Sequence, residues 1–192
     1  MAIVSDIHGN LQAFEAVLDA IEASDCEEMW CLGDLVGYGA DPDACVELAR
    51  AHASICLAGN HDMGVRGDLL LEQFSRGAAV AARWTQETIA PATLEYLKGL
   101  EPLLLDEQVG LFHASPRDPV WEYVLSALQA ELCLDSQTHR VCLIGHSNVA
   151  LSFSRLPGEA ASGETREDGD ELDLGQGEWL VNPGSVGQPR DG

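Results

Sequence analysis

The stretch MAIVSDIHGN (residues 1–10) decides how the rest of the chain is read. Met1 to Val4 is short and apolar and polar residues come at once after it, so it predicts a buried strand ending at Ser5-Asp6. Asn10 offers a side-chain oxygen to cap a helix, and Leu11, Phe14, Val17, Leu18 and Ile21 then recur with a period near 3.6. The unit is strand, polar loop, helix, and the loop holds Asp6 and His8.

Working outward, the same unit recurs. Met29 to Leu32 predicts a strand that runs into Gly33-Asp34, and Asp41-Pro42 opens a helix with proline at its first position. Ser54 to Leu57 leads into Ala58-Gly59-Asn60-His61-Asp62. Residues 69–100 are rich in alanine and leucine and predict helix interrupted at Pro91, a helical insertion or cap-like stretch. Leu103–Leu105 and Val109–Phe112 predict two strands, the second leading to His113, and Val120–Leu134 predicts a helix. Val141–Ile144 is a strand ending at Gly145-His146, with Val149–Phe153 and Glu178–Val181 as further strands. Residues 158–177 set seven acidic side chains against Arg166 alone and have the composition of a mobile surface loop. The chain stops inside a turn-like segment, Arg190-Asp191-Gly192, which reads as a truncated end. Strands alternating with helices, then a late run of strands, argue a single α/β domain over residues 1–192 with at least one mixed sheet.

Composition narrows the function. A net charge of −22, with one lysine (Lys98) and nine arginines, repels polyanions and argues against a general grip on nucleic acid. No apolar run is long enough for a membrane helix, and no basic-then-apolar leader opens the chain. Six cysteines without a CxxC pattern read as buried free thiols, which suits a cytoplasmic protein. Oligomeric state leaves no mark in the sequence.

Asp6 and His8, Asp34, Asn60 with His61 and Asp62, His113, and His146 each come directly after an apolar strand. In open α/β sheets the ligand crevice lies beyond the carboxyl ends of the strands. Singly, each residue has a plainer role: Asp6 or Asp34 as a helix cap, Asn60 in a left-handed turn, His113 as a satisfied core histidine. Jointly, five strand ends deliver metal-competent side chains to one edge. Imidazole with carboxylate suits manganese, iron, zinc, cobalt or nickel. A carboxylate shared by two ions about 3.5–4 Å apart suits displacement at phosphorus.

The segments SDIHGN (5–10), GDLVGYG (33–39), GNHD (59–62), FHASP (112–116) and GHSN (145–148) resemble the ordered motif set of the calcineurin-like metallophosphoesterases. The tail NPGSVGQPRDG (182–192) resembles the bacterial branch related to small phosphodiesterases. The resemblance implies a four-layer sandwich of two mixed β-sheets flanked by helices. It implies two divalent ions: Asp6 and His8 on the first, Asp34 bridging, and Asn60, His113 and His146 on the second. His61 is implied as the group serving the leaving oxygen, with Asp62 orienting it.

Two departures stand out. The last family motif carries a second histidine as a ligand of the first metal, and this chain has Asn148, a weaker ligand, so the first site is expected to be the weaker one. The arginine clamp of the protein serine/threonine phosphatases is replaced by Gly37-Tyr38-Gly39, leaving Tyr38 and Arg190 as candidates to meet substrate. The expected activity is hydrolysis of a phosphodiester or phosphomonoester of a small substrate by metal-activated hydroxide. The alternatives are a protein phosphatase, a dinucleoside polyphosphate hydrolase, and a non-catalytic metal-binding or sensing domain.

Overall fold

The computed structural model describes residues 1–190; Asp191 and Gly192, the end of the turn-like tail, lie outside the described residues. The chain runs β1 (Ala2–Val4), α1 (Leu11–Glu22), β2 (Met29–Cys31), α2 (Pro42–His52), β3 (Ala53–Cys56) and α3 (Asn60–Arg66). A 3-10 turn (Leu71–Gln73) then leads into α4 (Arg76–Thr88), α5 (Pro91–Lys98), β4 (Leu103–Leu105) and β5 (Val109–Phe112). It ends with α6 (Ala127–Asp135), β6 (Val141–Leu143), β7 (Ala150–Arg155), β8 (Ser162–Thr165) and β9 (Glu178–Pro183).

These strands form two sheets, β1-β2-β3 and β4-β5-β6-β9-β7-β8. The first carries only parallel pairings, because α1 and α2 are crossover helices that return the chain to the same edge. The second is mixed: β5, β6 and β9 are parallel, while β4, β7 and β8 join antiparallel. Alternation along the strands then sorts the core. Ile3, Trp30 and Ile55 face the second sheet and meet Leu111, Val141 and Leu143 between the two. Val4, Met29 and Cys31 turn the other way, onto Phe14, Val46 and Ala49 of α1 and α2. Phe112, Cys142, Leu151, Phe153 and Leu180 of the second sheet are covered by Ala130, Cys133 and Leu134 of α6. The result is four layers, helix–sheet–sheet–helix.

Caps explain the helix starts. Asn10 accepts from the Ala13 amide and Ser75 from the Ala78 amide, whereas Asp41 makes no side-chain cap and α2 relies on Pro42. The region expected as an insertion is integral: Leu71, Ala82 and Leu97 share the outer core with α1 and α2, and Pro91 opens α5.

Two expectations need correction. Val120–Leu134 is not one helix, since α6 begins only at Ala127. The Asp118 carboxylate accepts from the Val120 and Trp121 amides and commits them to a turn, and Ser126 caps the helix through the Gln129 amide. Within the acidic stretch 158–177, Ser162–Thr165 forms an edge strand on β7. There Arg166 Nε donates to Ser152 Oγ and Glu131 accepts from the Ala161 amide, contacts that acidic composition alone did not reveal. All six cysteines are free thiols, four of them buried. Among the described residues no helix is long and apolar enough to cross a membrane.

Candidate metal centre

The carboxyl ends of β1, β2, β3, β5 and β6 meet at one edge, and their loops are tied to one another by backbone hydrogen bonds. Asp6 N donates to Gly33 O, His8 N to Asp34 O, Gly9 N to Leu35 O and Gly145 N to His113 O. Among the described residues six non-glycine residues have a left-handed backbone: Asp6, His8, Asp34, Tyr38, His146 and Asn148. All six belong to the site residues expected from sequence. A left-handed residue costs roughly 1–2 kcal/mol, and such strain persists only where the surroundings over-determine it. The loops are held in these conformations by the neighbours that also aim the side chains.

The donors converge. Ligand atoms of His8, Asp34 and His61 lie within 4.8 Å of one another, and so do those of Asp34, His113 and His146. Asp34 belongs to both groups. His8 Nε2 is 3.5 Å from Asp6 Oδ1 and 3.7 Å from Asp34 Oδ2, and His113 Nε2 is 3.6 Å from Asp34 Oδ2. Asn60 Oδ1 stands 3.3 Å from His113 Nε2. Asn60 itself starts α3 and does not occupy a left-handed turn. Two imidazoles are oriented through Nδ1, on the carbonyls of Val36 (His8) and Leu32 (His113). That bond fixes the tautomer whose Nε2 lone pair is free to ligate. Nε2 of His8 and of His146 is buried without a hydrogen-bond partner.

Electrostatics agree. Burial raises the Asp34 carboxyl well above the usual carboxylate range, with Asp6 and Asp62 adding repulsion. Burial acts upward on Asp6 too, yet His8, His113 and Ser5 outweigh it and bring that carboxyl to about 2. Burial drives His146 down to about 3 and His61 well below the ordinary imidazole value, the neighbouring histidines adding to both. Burial also opposes charge on His8, but its close contact with Asp6 and the charges of Asp34 and Asp6 prevail and raise it. Orphaned imidazole nitrogens beside crowded buried carboxylates are a donor set that divalent cations fit.

Two residues differ from expectation. Asp62 does not orient the His61 ring: its oxygens accept from the Gly59 and Val36 amides, at 2.8 and 3.1 Å, so it braces the loops. The His61 ring packs against Gly37, where an added Cβ would lie 2.3 Å from Nδ1. Asn148 points its Nδ2 at Asp6 Oδ1 (3.1 Å) and at the His146 carbonyl (2.8 Å), leaving its own Oδ1 buried and unpartnered. The amide that stands in the histidine position thus presents hydrogens, not a lone pair, to the Asp6 carboxylate.

Residues not foreseen complete the surroundings. The tail is strapped across the β1 loop: Val186 N and Gly187 N donate to Ser5 O and Asp6 O, and Asn10 Nδ2 donates to Gly187 O. Asn182 Nδ2 donates to Gly145 O and Ser147 Oγ, bracing the loop that bears His146. Arg190 N donates to Asn148 O, and the Arg190 charge lies close enough to the Tyr38 hydroxyl to act on it, so the two substrate candidates lie together. Phe74, Trp121 and Tyr123 pack around the histidines. Their only sequence signal was aromatic composition in segments expected to be helical.

The model of the calcineurin-like phosphoesterase superfamily domain matches residues 1–192. An uncharacterised protein of Methanocaldococcus jannaschii is 37% identical over 198 residues, covering 100% of this chain and 78% of that protein. The crystal structure of a metallophosphoesterase from Sphaerobacter thermophilus is 38% identical with a TM-score of 0.85, over 99% of this chain and 77% of that one. A hypothetical protein from Pyrococcus horikoshii shares the fold, with a TM-score of 0.76 at 18% identity, over 98% of this chain and 77% of that one.

Proposed function

The chain belongs to the calcineurin-like phosphoesterase superfamily, and from that premise we propose that it hydrolyses phosphodiester or phosphomonoester bonds of a small substrate at two divalent ions. The observation that carries this reading is the single buried carboxylate, Asp34, shared by two groups of metal-competent donors.

In this reading Asp34 is the bridge, Asp6 and His8 hold the first ion, and Asn60, His113 and His146 hold the second. Bound there, the ions supply Lewis-acid polarisation of a phosphoryl oxygen and a lowered pKa for coordinated water. Ser5 Oγ and the His146 amide fix one Asp6 oxygen, at 2.5 and 3.0 Å, so that carboxylate cannot swing. His61 N donates to Asp34 Oδ1 (2.8 Å), which sets the bridge and brings the His61 ring to its edge. Held neutral by burial, that ring offers an N–H to charge developing on a leaving oxygen. Tyr38 and Arg190 supply the polar contacts to substrate. A small substrate fits a −22 chain better than a polyanion does. Free thiols throughout suit residence in the cytoplasm.

A second reading, a non-catalytic metal-sensing domain, is favoured by the Asn148 amide hydrogens that occupy Asp6. Metal-stripped protein titrated with manganese separates the two when assayed on bis(p-nitrophenyl) phosphate, p-nitrophenyl phosphate, a phosphopeptide and a dinucleoside polyphosphate. Manganese-dependent turnover of either nitrophenyl ester, abolished in Asp34→Asn, is the expected result. Background rates at saturating metal would leave the sensing domain standing, and preference for the phosphopeptide would move the substrate to protein.

A further inference from the structure

Resting on the phosphoester-hydrolase reading, we propose that Tyr38, Phe74, Trp121 and Tyr123 form an aryl-binding rim at the metal centre, so that the substrate's organic group is planar and aromatic, as a nucleobase is. The rings lie against the histidines or against one another. Tyr38 lies 4.9 Å from the His8 ring and 4.6 Å from His61, Phe74 is 5.3 Å from His61, and Trp121 is 5.0 Å from Phe74. Tyr123 packs on a different histidine, tilted 34° over His146 at 4.1 Å.

Packing accounts for Phe74, which meets His61 and Trp121 edge-on. It does not account for Tyr123, which is 40% exposed although it packs, tilted, over a donor imidazole. A ring placed that way offers a face to a second planar group. Residues 115–124 are also stiffened in advance. Ser115 Oγ donates to Glu122 Oε2 (2.5 Å), Arg117 pairs with Glu122 (3.0 Å), and Asp118 holds the Val120 and Trp121 amides. The same loop carries two of the aromatic rings, Trp121 and Tyr123, and sets Tyr123 against a donor imidazole, His146. Arg190 lies near Tyr38, which sets a cation beside the rings. Base–aromatic stacking tolerates any base, since each has a π-face.

The test is calorimetric titration of the manganese-loaded chain with AMP, phenyl phosphate and ribose 5-phosphate, with bis(p-nitrophenyl) phosphate hydrolysis measured in the same samples. AMP is expected to bind about tenfold more tightly than ribose 5-phosphate. Tyr123→Leu and Trp121→Leu are expected to remove most of that preference, and Tyr123→Phe, which keeps the ring, to retain it. Phenyl phosphate matching AMP would support the rim with any aryl group as its guest; phenyl phosphate matching ribose 5-phosphate would support it with a nucleobase as the guest. Equal affinities for all three, or a preference that survives both leucine variants, would overturn the inference. Hydrolysis without aryl preference defeats the rim alone, and aryl preference without hydrolysis defeats the phosphoesterase reading alone.

Discussion

On one side of Asp34 stands Asp6, whose carboxylate already accepts from Ser5 Oγ, the His146 amide and Asn148 Nδ2. On the other stand His113, with Nδ1 tied to a backbone carbonyl, His146, whose Nε2 is buried without a partner, and Asn60 with its amide oxygen beside His113. The two sides share a bridge and differ in readiness. His146, pushed down to about 3 by burial, presents a neutral ring. The Asp6 side presents a carboxylate satisfied by hydrogen bonds and a His8 ring held toward its protonated form. A cation entering the second side displaces little, whereas one entering the first must displace a proton and compete with an amide.

Removing what the two sides share is the largest perturbation. Asp34→Asn is expected to lower activity by more than about 100-fold and to reduce bound metal, checked by elemental analysis beside steady-state rates. The metal-free protein should move the opposite way. A carboxyl whose folded pKa is raised stabilises the fold only while protonated, and that stability is lost as pH rises from about 4 through the folded value. At neutral pH asparagine lifts the penalty, so metal-free Asp34→Asn should melt above wild type by calorimetry.

Gly37→Ala comes next. Its Cβ would meet His61 Nδ1 at 2.3 Å on a residue whose φ is +89°, so the His61 ring must move. A rate loss on the order of 100-fold with second-side metal retained is expected, and unchanged kinetics would remove His61 from the chemistry. Asn148→His should tighten the first ion by about tenfold and narrow the gap between the sides. If its occupancy does not change, the amide at this position is not what weakens the site. The smallest effect belongs to Tyr38→Phe, which removes the hydroxyl beside Arg190. KM should shift by about threefold at constant kcat, as befits loss of one hydrogen bond.

Much of this was legible in the sequence because the pattern repeats: β1, β2, β3, β5 and β6 are short apolar runs, and each gives way at its carboxyl end to a polar loop. Periodicity places α1 with Phe14 inward. The same periodicity misled between Val120 and Ser126, where spacing permits a helix but the Asp118 carboxylate spends the amides that a helix needs. That turn carries Trp121 and Tyr123, so misreading it hid the rim. Asp62 was legible as a site residue, not as a brace, because its partners Gly59 and Val36 meet only across the folded loops. Asn148 was legible as a weak ligand. Which way its amide points depends on Asp6, 142 positions away in sequence.

The inequality of the two sides is tested most directly by metal titration of the stripped protein, with bound ions counted at about pH 8 and about pH 6. Acidification charges His8, whose pKa is raised, and leaves His146, lowered to about 3, neutral. The expected result is one tight and one weak ion at the higher pH, with only the tight one retained at the lower. Two ions of equal affinity that persist together at both pH values would contradict it.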